Sequence, residues 1–329
     1  GSGPVGDDAF LKGLLWTDPS STPAIGDPGP GLFDEYTDLT SMFGSVVGNR
    51  TSLTTFENHP FIKGPAFFAN LPLVPGYVFG SANAVDSEGS IVVRTSQTNA
   101  GLGYGGVTSV AVKWTGDLGG FPVELGYLST DPSINYSEGL GVSGDGTTTV
   151  GRSTAGNGYG STFYHPFRHT DELGMQDLFL NRSDDGVAVD ASFDGMVVVG
   201  NRYFGDGGGA PWVWVPWRGV RDIADILTAA GVDLSGYSLF SCSSVSDDGR
   251  TVTGNAYSSV NGFQIITWVA VLPIDCPSDF DGDGFVTGED FDAFVAAFEN
   301  GDLTSDFDGD GFVTGEDFDG YVAAFEGGC

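Results

Sequence analysis

Ser246-Asp247-Asp248-Gly249-Arg250-Thr251-Val252-Thr253-Gly254 is a tight turn running into a β-branched strand, and the chain repeats it. Asp86-Ser87-Glu88-Gly89 precedes Ile91-Val92-Val93. Ser143-Gly144-Asp145-Gly146 precedes Val150-Gly151, and Ser192-Phe193-Asp194-Gly195 precedes Val197-Val198-Val199-Gly200. The turn glycines Gly89, Gly146, Gly195 and Gly249 stand 57, 49 and 54 residues apart. A degenerate earlier copy, Val46-Val47-Gly48-Asn49-Arg50, is echoed by Val198-Val199-Gly200-Asn201-Arg202. Short Ser and Asp side chains bond the local backbone and Gly accepts positive φ, so the first half predicts a turn. The Val-rich half predicts a strand. On this reading Glu88, Asp145, Asp194 and Asp248 serve turn geometry rather than extra calcium sites.

Two more pieces travel with the copies. An aromatic strand follows each: His59-Pro60-Phe61, Ala111-Val112-Lys113-Trp114-Thr115, His165-Pro166-Phe167-Arg168, Trp212-Val213-Trp214-Val215 and Ile265-Ile266-Thr267-Trp268-Val269. A third segment is Glu124-Leu125-Gly126-Tyr127-Leu128 or Leu173-Gly174-Met175-Gln176-Asp177-Leu178; in the last repeat it becomes a short helix over residues 220–227, stopped at Gly231. Gly-rich hairpin tips lie between, and the one at residues 101–106 has the form GxGxxG. A strand follows it rather than a helix, so no dinucleotide site is expected. Repeats of about 50 residues with three or four strands have the period of propeller blades. Residues 9–17 supply a sixth aromatic strand against five Val-rich ones, which leaves five or six blades open. That surplus strand either completes a blade in its own ring or adds to an edge on another subunit. Together these motifs resemble the HAF-type extracellular repeat over roughly residues 33–270, best at residues 247–254. The resemblance implies a bacterial exported protein with a propeller-like β fold and no known catalysis.

The tail, residues 276–329, has a different pattern. Residues 279–299 and 306–326 are the same unit twice, differing only at Ala293/Gly320 and Phe294/Tyr321. Each begins Asp-Phe-Asp-Gly-Asp-Gly-Phe-Val-Thr-Gly-Glu-Asp. Carboxylates at positions 1, 3 and 5, a turn glycine at 6, a carbonyl at 7, a hydroxyl at 9 and an acid at 12 suit a calcium loop. The expected ligands are Asp279, Asp281, Asp283, Phe285, Thr287 and Asp290 in one loop, and Asp306, Asp308, Asp310, Phe312, Thr314 and Asp317 in the other. Two Ca²⁺ sites are therefore expected; Mg²⁺ prefers a smaller, wetter shell. After each loop, Phe291, Phe294, Val295 and Phe298, and then Phe318, Tyr321, Val322 and Phe325, form one apolar helix face. Neither face can be buried alone, so the helices should pair.

One loop plus one helix, duplicated, resembles a dockerin module, and the Gly-Cys ending resembles its GC type. Ends that lie close in such modules imply a clasp between Cys276 and Cys329. Loop positions 10 and 11 depart from cohesin-binding dockerins, being Gly288-Glu289 and Gly315-Glu316. The partner implied is thus a surface receptor or the protein itself.

Lys+Arg total 12 against 44 Asp+Glu, a net charge of −32. That excludes the basic footprint nucleic acid requires and suits a charge-solubilised exported protein. No apolar run is long enough to span a membrane. A disulfide agrees with an oxidising compartment; Cys242 is expected to be buried as a small apolar residue. His165 and His169 have no visible third ligand and read as structural. The expected architecture is a mainly β, propeller-like body over residues 1–274 and a dockerin-like α-helical calcium domain over 275–329. The expected function is that of a non-enzymatic extracellular or cell-surface structural protein that docks or self-assembles, as a filament subunit for example. The alternative is a carbohydrate-binding or carbohydrate-active protein, with Trp212, Trp214 and Trp217 stacking on glycans.

Overall fold

The computed structural model describes residues 2–4, 11–15, 24–25, 32–39, 46–52, 54, 58–64, 68–89, 91–97, 109–115, 122–131, 135–156, 162–179, 181, 183–205, 208–260, 262–273, 278–280, 286–307 and 311–327. It divides into two compact units: Gly1–Thr170 with Gly174–Asp190, and Asp171–Leu173 with Ala191–Cys329.

The first unit opens with a small antiparallel sheet of β1 (Ser2–Pro4), β2 (Leu11–Leu15) and β3 (Ala24–Ile25). Three four-stranded antiparallel meanders follow. They are β4 (Leu32–Leu39) to β7 (Phe68–Asn70), β8 (Phe79–Val85) to β11 (Pro122–Gly126), and β12 (Ser137–Val142) to β15 (Gly174–Asp177). The Val-rich strands are β5 (Val46–Ser52), β9 (Ile91–Gln97) and β13 (Thr149–Gly156); the aromatic ones are β6 (Asn58–Lys63), β10 (Ser109–Thr115) and β14 (Thr162–Thr170). Strand β16 (Asp185–Ala191) begins the fourth repeat, and the boundary between units falls at its end.

The second unit continues with β17 (Val198–Tyr203), β18 (Gly209–Val215), β19 (Gly219–Asp222) and helix α1 (Ile223–Ala229). The fifth repeat has three strands in sequence order: β20 (Tyr237–Val245), β21 (Thr251–Ser258) and β22 (Gln264–Val271). Helices α2 (Gly288–Glu299) and α3 (Gly315–Gly327) complete it.

The repeated turns have one construction. Ser143, Ser192 and Ser246 each donate from Oγ to the aspartate two residues on, at 2.6, 2.7 and 2.5 Å. The same carboxylate oxygen accepts the N–H of Thr147, Met196 or Arg250, and the serine Oγ accepts that of Thr148, Val197 or Thr251. At Gly249, φ is +72° and an added Cβ would stand 2.6 Å from a Val197 methyl, so only glycine fits. Successive turns also join: Ser87 N donates to Gly144 O at 3.0 Å, and Phe193 N to Asp247 O at 2.9 Å.

The first strand of each repeat was not among the motifs read from sequence. It carries a bulge between Tyr36 and Asp38, Ala82 and Ala84, Gly139 and Gly141, and Cys242 and Ser244, and in β8 and β12 it is built largely of small residues. Small residues let sheets approach closely. Gly141, for instance, has Val189 O only 2.7 Å from where a Cβ would be. Side-chain amides tie the sheets there. Asn49 Oδ1 accepts Ala82 N at 2.9 Å, Asn83 donates to Gly139 O, and Asn201 both accepts Cys242 N and donates to Cys242 O. Apolar packing fills in around them, as where Val47, Ile62 and Leu71 meet Ala82, Val85 and Trp114. Cys242 is buried, as its composition class suggests.

Two outcomes are expected. In Gly254→Ala the new methyl would sit 1.9 Å from Ser241 O and 2.6 Å from the Trp268 ring. Overpacking of this kind should cost about 3 kcal/mol in denaturant unfolding. The second concerns pH. Ser246 Oγ and Arg250 N hold the Asp248 carboxyl below its ordinary value. A depressed carboxylate stabilises the fold above its unfolded pKa of about 3.9 and loses that effect as pH falls through its folded value. Asp248→Ala should therefore melt below wild type at neutral pH, with the gap closing in acid below the carboxylate range.

Candidate calcium module and its seat on the repeats

In the tail, the two apolar helix faces meet. Phe294 of α2 and Tyr321 of α3 are fully buried and stack in parallel, with centroids 3.8 Å apart and planes 5° apart. Phe280 and Phe307 lie edge-on to the pair, Phe291, Phe318 and Phe325 tilted, and Phe298 stacks on Phe294. Each helix starts at a loop threonine. Thr287 forms a capping box with Asp290, whose Oδ2 accepts Thr287 N at 2.7 Å. Thr314 repeats this with Asp317, again at 2.7 Å.

These caps fix position 12 of each candidate loop. Asp290 and Asp317 are completely buried, and Asp279 and Asp306, at position 1, are 8% exposed. Asp317 Oδ1 also accepts Phe307 N at 2.7 Å, and Asp306 Oδ2 accepts Gly311 N at 2.8 Å. The first and last carboxylates of the second loop are thus pinned by its own backbone. Phe312, expected to offer its carbonyl, leaves its ring 68% exposed. Hard oxygen donors of this kind suit Ca²⁺. Burying carboxylates costs several kcal/mol each unless a cation offsets it, which is a second fit to a divalent ion. Asp281, Asp283, Phe285, Asp308, Asp310, Cys276 and Cys329 lie outside the described residues. Among the described residues no group of three or more His, Cys, Asp or Glu side chains converges.

One dipeptide of the fourth repeat touches both loops. In the tight turn from β18 to β19, Arg218 N donates to Val215 O, and Gly219 has φ +64°. Arg218 then donates from Nη2 to Asp279 O at 2.8 Å and from Nη1 to Phe280 O at 3.3 Å, at the start of the first loop. The adjacent Trp217 stacks on Phe307, at the start of the second, with centroids 6.4 Å apart. Sequence motifs missed this seat because Trp217 and Arg218 belong to no repeat element. Their only signal is an arginine in a chain with 12 basic residues.

The remaining candidates are placed as follows. His165 is fully buried, with Nδ1 2.8 Å from Asp177 Oδ2 and its ring edge-on to Phe179. Trp212 is fully buried in β18, so it presents no ring to a glycan. The GxGxxG stretch at 101–106 lies outside the described residues. Among the described residues no helix is long and apolar enough to cross a membrane.

No family model matches the chain, and no curated protein matches it. Solved structures do. TolB from Acinetobacter baumannii aligns with a TM-score of 0.45 at 15% identity, over 80% of this chain and 59% of that one. A putative TolB from Agrobacterium tumefaciens gives 0.47 at 13%, over 76% and 86%. The β-propeller domain of the Trilobed protease from Pyrococcus furiosus gives 0.44 at 9%, over 70% and 66%. The chain is a mainly β protein with β-propeller-like neighbours.

The module core gives a graded test. Phe294→Ala should destabilise the tail by about 3–5 kcal/mol. Tyr321→Phe keeps the ring and loses the 3.2 Å bond from its hydroxyl to Ser278 O, and should cost about 1 kcal/mol. Near-ultraviolet circular dichroism melts would read both, and equal losses would contradict this packing.

Proposed function

We propose that this protein is a non-enzymatic, extracellular or cell-surface structural protein, stabilised by two Ca²⁺ ions and built to dock or self-assemble. Its body is a propeller-like array of five blades, with the N-terminal sheet as an additional element, and its tail is a dockerin-like module closed by Cys276 and Cys329. The observation that carries this reading is the seat. Trp217 and Arg218 hold the first residues of both candidate loops, so the module is anchored to the body rather than hung from it. Calcium bound there is a permanent brace and not a sensor's trigger. The chemistry-bearing side chains of the body support a structural role too. Asp145, Asp194 and Asp248 are engaged in turns, and His165 is engaged with Asp177.

The seat links calcium to the body. Because Arg218 bonds the carbonyls of Asp279 and Phe280, loop order and docking favour each other, and such coupling is reciprocal. Titration calorimetry should give two Ca²⁺ per chain, and Arg218→Ala should weaken the first-loop site by about tenfold. Electron micrographs of the purified chain with calcium should show assemblies that disperse in EGTA. A monodisperse monomer in calcium would overturn self-assembly, and unchanged affinity in Arg218→Ala would overturn the brace.

A further inference from the structure

A cavity of about 210 Å³ lies between the fourth and fifth repeats, lined by residues of the second unit. Two of the repeated turns form its edge, joined where Phe193 N donates to Asp247 O at 2.9 Å. Val197, Val213 and Val215 of the fourth repeat, Ile226 of α1 and Leu272 after β22 make an apolar wall. A dry apolar cavity of about 150 Å³ takes up benzene, so this one has room for a single ring or a branched aliphatic chain. Small-molecule sites have this form, an apolar hollow with a few placed polar groups.

The polar groups around the wall are unequally satisfied. Trp217 lines the cavity, and its Nε1 is buried with no acceptor among the described residues. A buried donor without an acceptor is costly, so an acceptor brought by a ligand gains more here than at the surface. Asp194, Asp247, Asp248 and Arg250 are exposed and mark the mouth. Asp194 and Asp248 each use Oδ1 within the turn, for a serine Oγ and a backbone N–H. Among the described residues, their Oδ2 atoms and the Asp247 carboxylate accept no hydrogen bond, and the Arg250 guanidinium forms no ion pair. Arg221, also in the lining, is already engaged. The mouth therefore offers acceptors for a cation, and beside them a guanidinium for an anion. A simple amine would leave Arg250 and the Trp217 N–H unused, and a simple acid would face three carboxylates. A small zwitterion uses both signs.

We propose that this cavity binds a free α-amino acid with an aromatic or branched apolar side chain. The side chain enters along Val213, Ile226 and Leu272. The α-ammonium lies at Asp247, with Asp194 and Asp248 beside it. The α-carboxylate accepts from Trp217 Nε1 and pairs with Arg250, a charge-assisted contact. Binding of this kind needs neither assembly nor calcium, so it stands apart from the structural reading above.

Titration calorimetry of the full chain with L-phenylalanine and L-leucine tests this. At least one should bind at one site per chain. The matching analogues without the carboxylate (phenethylamine, isoamylamine) or without the ammonium (hydrocinnamate, isocaproate) should bind about tenfold more weakly or less. Arg250→Gln and Trp217→Phe should each weaken binding by about tenfold. The second keeps a ring to meet Phe307, and the first alters an exposed side chain, so neither threatens the fold. Ile226→Trp fills the cavity from α1 and should abolish binding with circular dichroism unchanged. Absence of binding by both amino acids at millimolar concentration would overturn the proposal, as would equal affinity for the analogues. Wild-type affinity in both Arg250→Gln and Trp217→Phe would place the ligand elsewhere and overturn it too. Tighter binding of phenylalanyl-glycyl-glycine than of L-phenylalanine would assign the cavity to a peptide N-terminus instead of a free amino acid.

Discussion

The amide of a buried asparagine, bonded across to the backbone of the next sheet's first strand, fixes the joint between the first and second repeats and again between the fourth and fifth. A hydrogen bond fixes a distance that apolar contact alone does not, and a buried amide left unbonded costs about 1–3 kcal/mol. Asn49 and Asn201 are 5% and 6% exposed, so both depend on that partner. The requirement propagates into composition. At the two bonded points the first strand carries small residues, Ala82 with Ala84 beside it and Cys242. Bulk is moved to the aromatic strands, where Phe61, Trp114, Phe167 and Trp212 are almost wholly buried.

This division of labour explains how much of the fold was legible in the sequence. Val-rich and aromatic strands are rich in residues that favour pleated, half-buried surface, and the Ser-x-Asp-Gly turn marks where each repeat begins its ladder. All of those appeared as strands and turns. The first strands, such as Ser137–Val142 with sequence SEGLGV, contain glycine and serine, which propensity assigns to loops. Tertiary closeness overrides propensity there, and a single sequence carries no local sign of it. The echo of Gly48-Asn49-Arg50 in Gly200-Asn201-Arg202 was visible as repetition, but its reason lies in the neighbouring repeat.

The tail was more legible because its rules are local. Loop spacing and the 3,4 helix periodicity place the paired helices and the buried acids Asp290 and Asp317 at the points where the pattern puts them. What spacing cannot give is the seat. Arg218 reaches two backbone carbonyls, and a carbonyl has no sequence signature.

The duplication itself holds the clearest argument that the seat is a selected feature. Two units of 21 residues differ at two adjacent positions, and both differences act at the module's contacts. Where one unit has Ala293, the other has Gly320, and a methyl there would stand 3.0 Å from the Phe307 ring. Phe307 is the ring that stacks on Trp217. Where one unit has Phe294, the other has Tyr321, whose hydroxyl donates to Ser278 O beside the first loop. The Tyr321 bond lies within the module, and Gly320 leaves room for the ring that meets Trp217. A module that rests on the fourth repeat through Phe307, and is gripped at Asp279 and Phe280, presents different surroundings to its two halves. The sequence differs at the positions where those surroundings do.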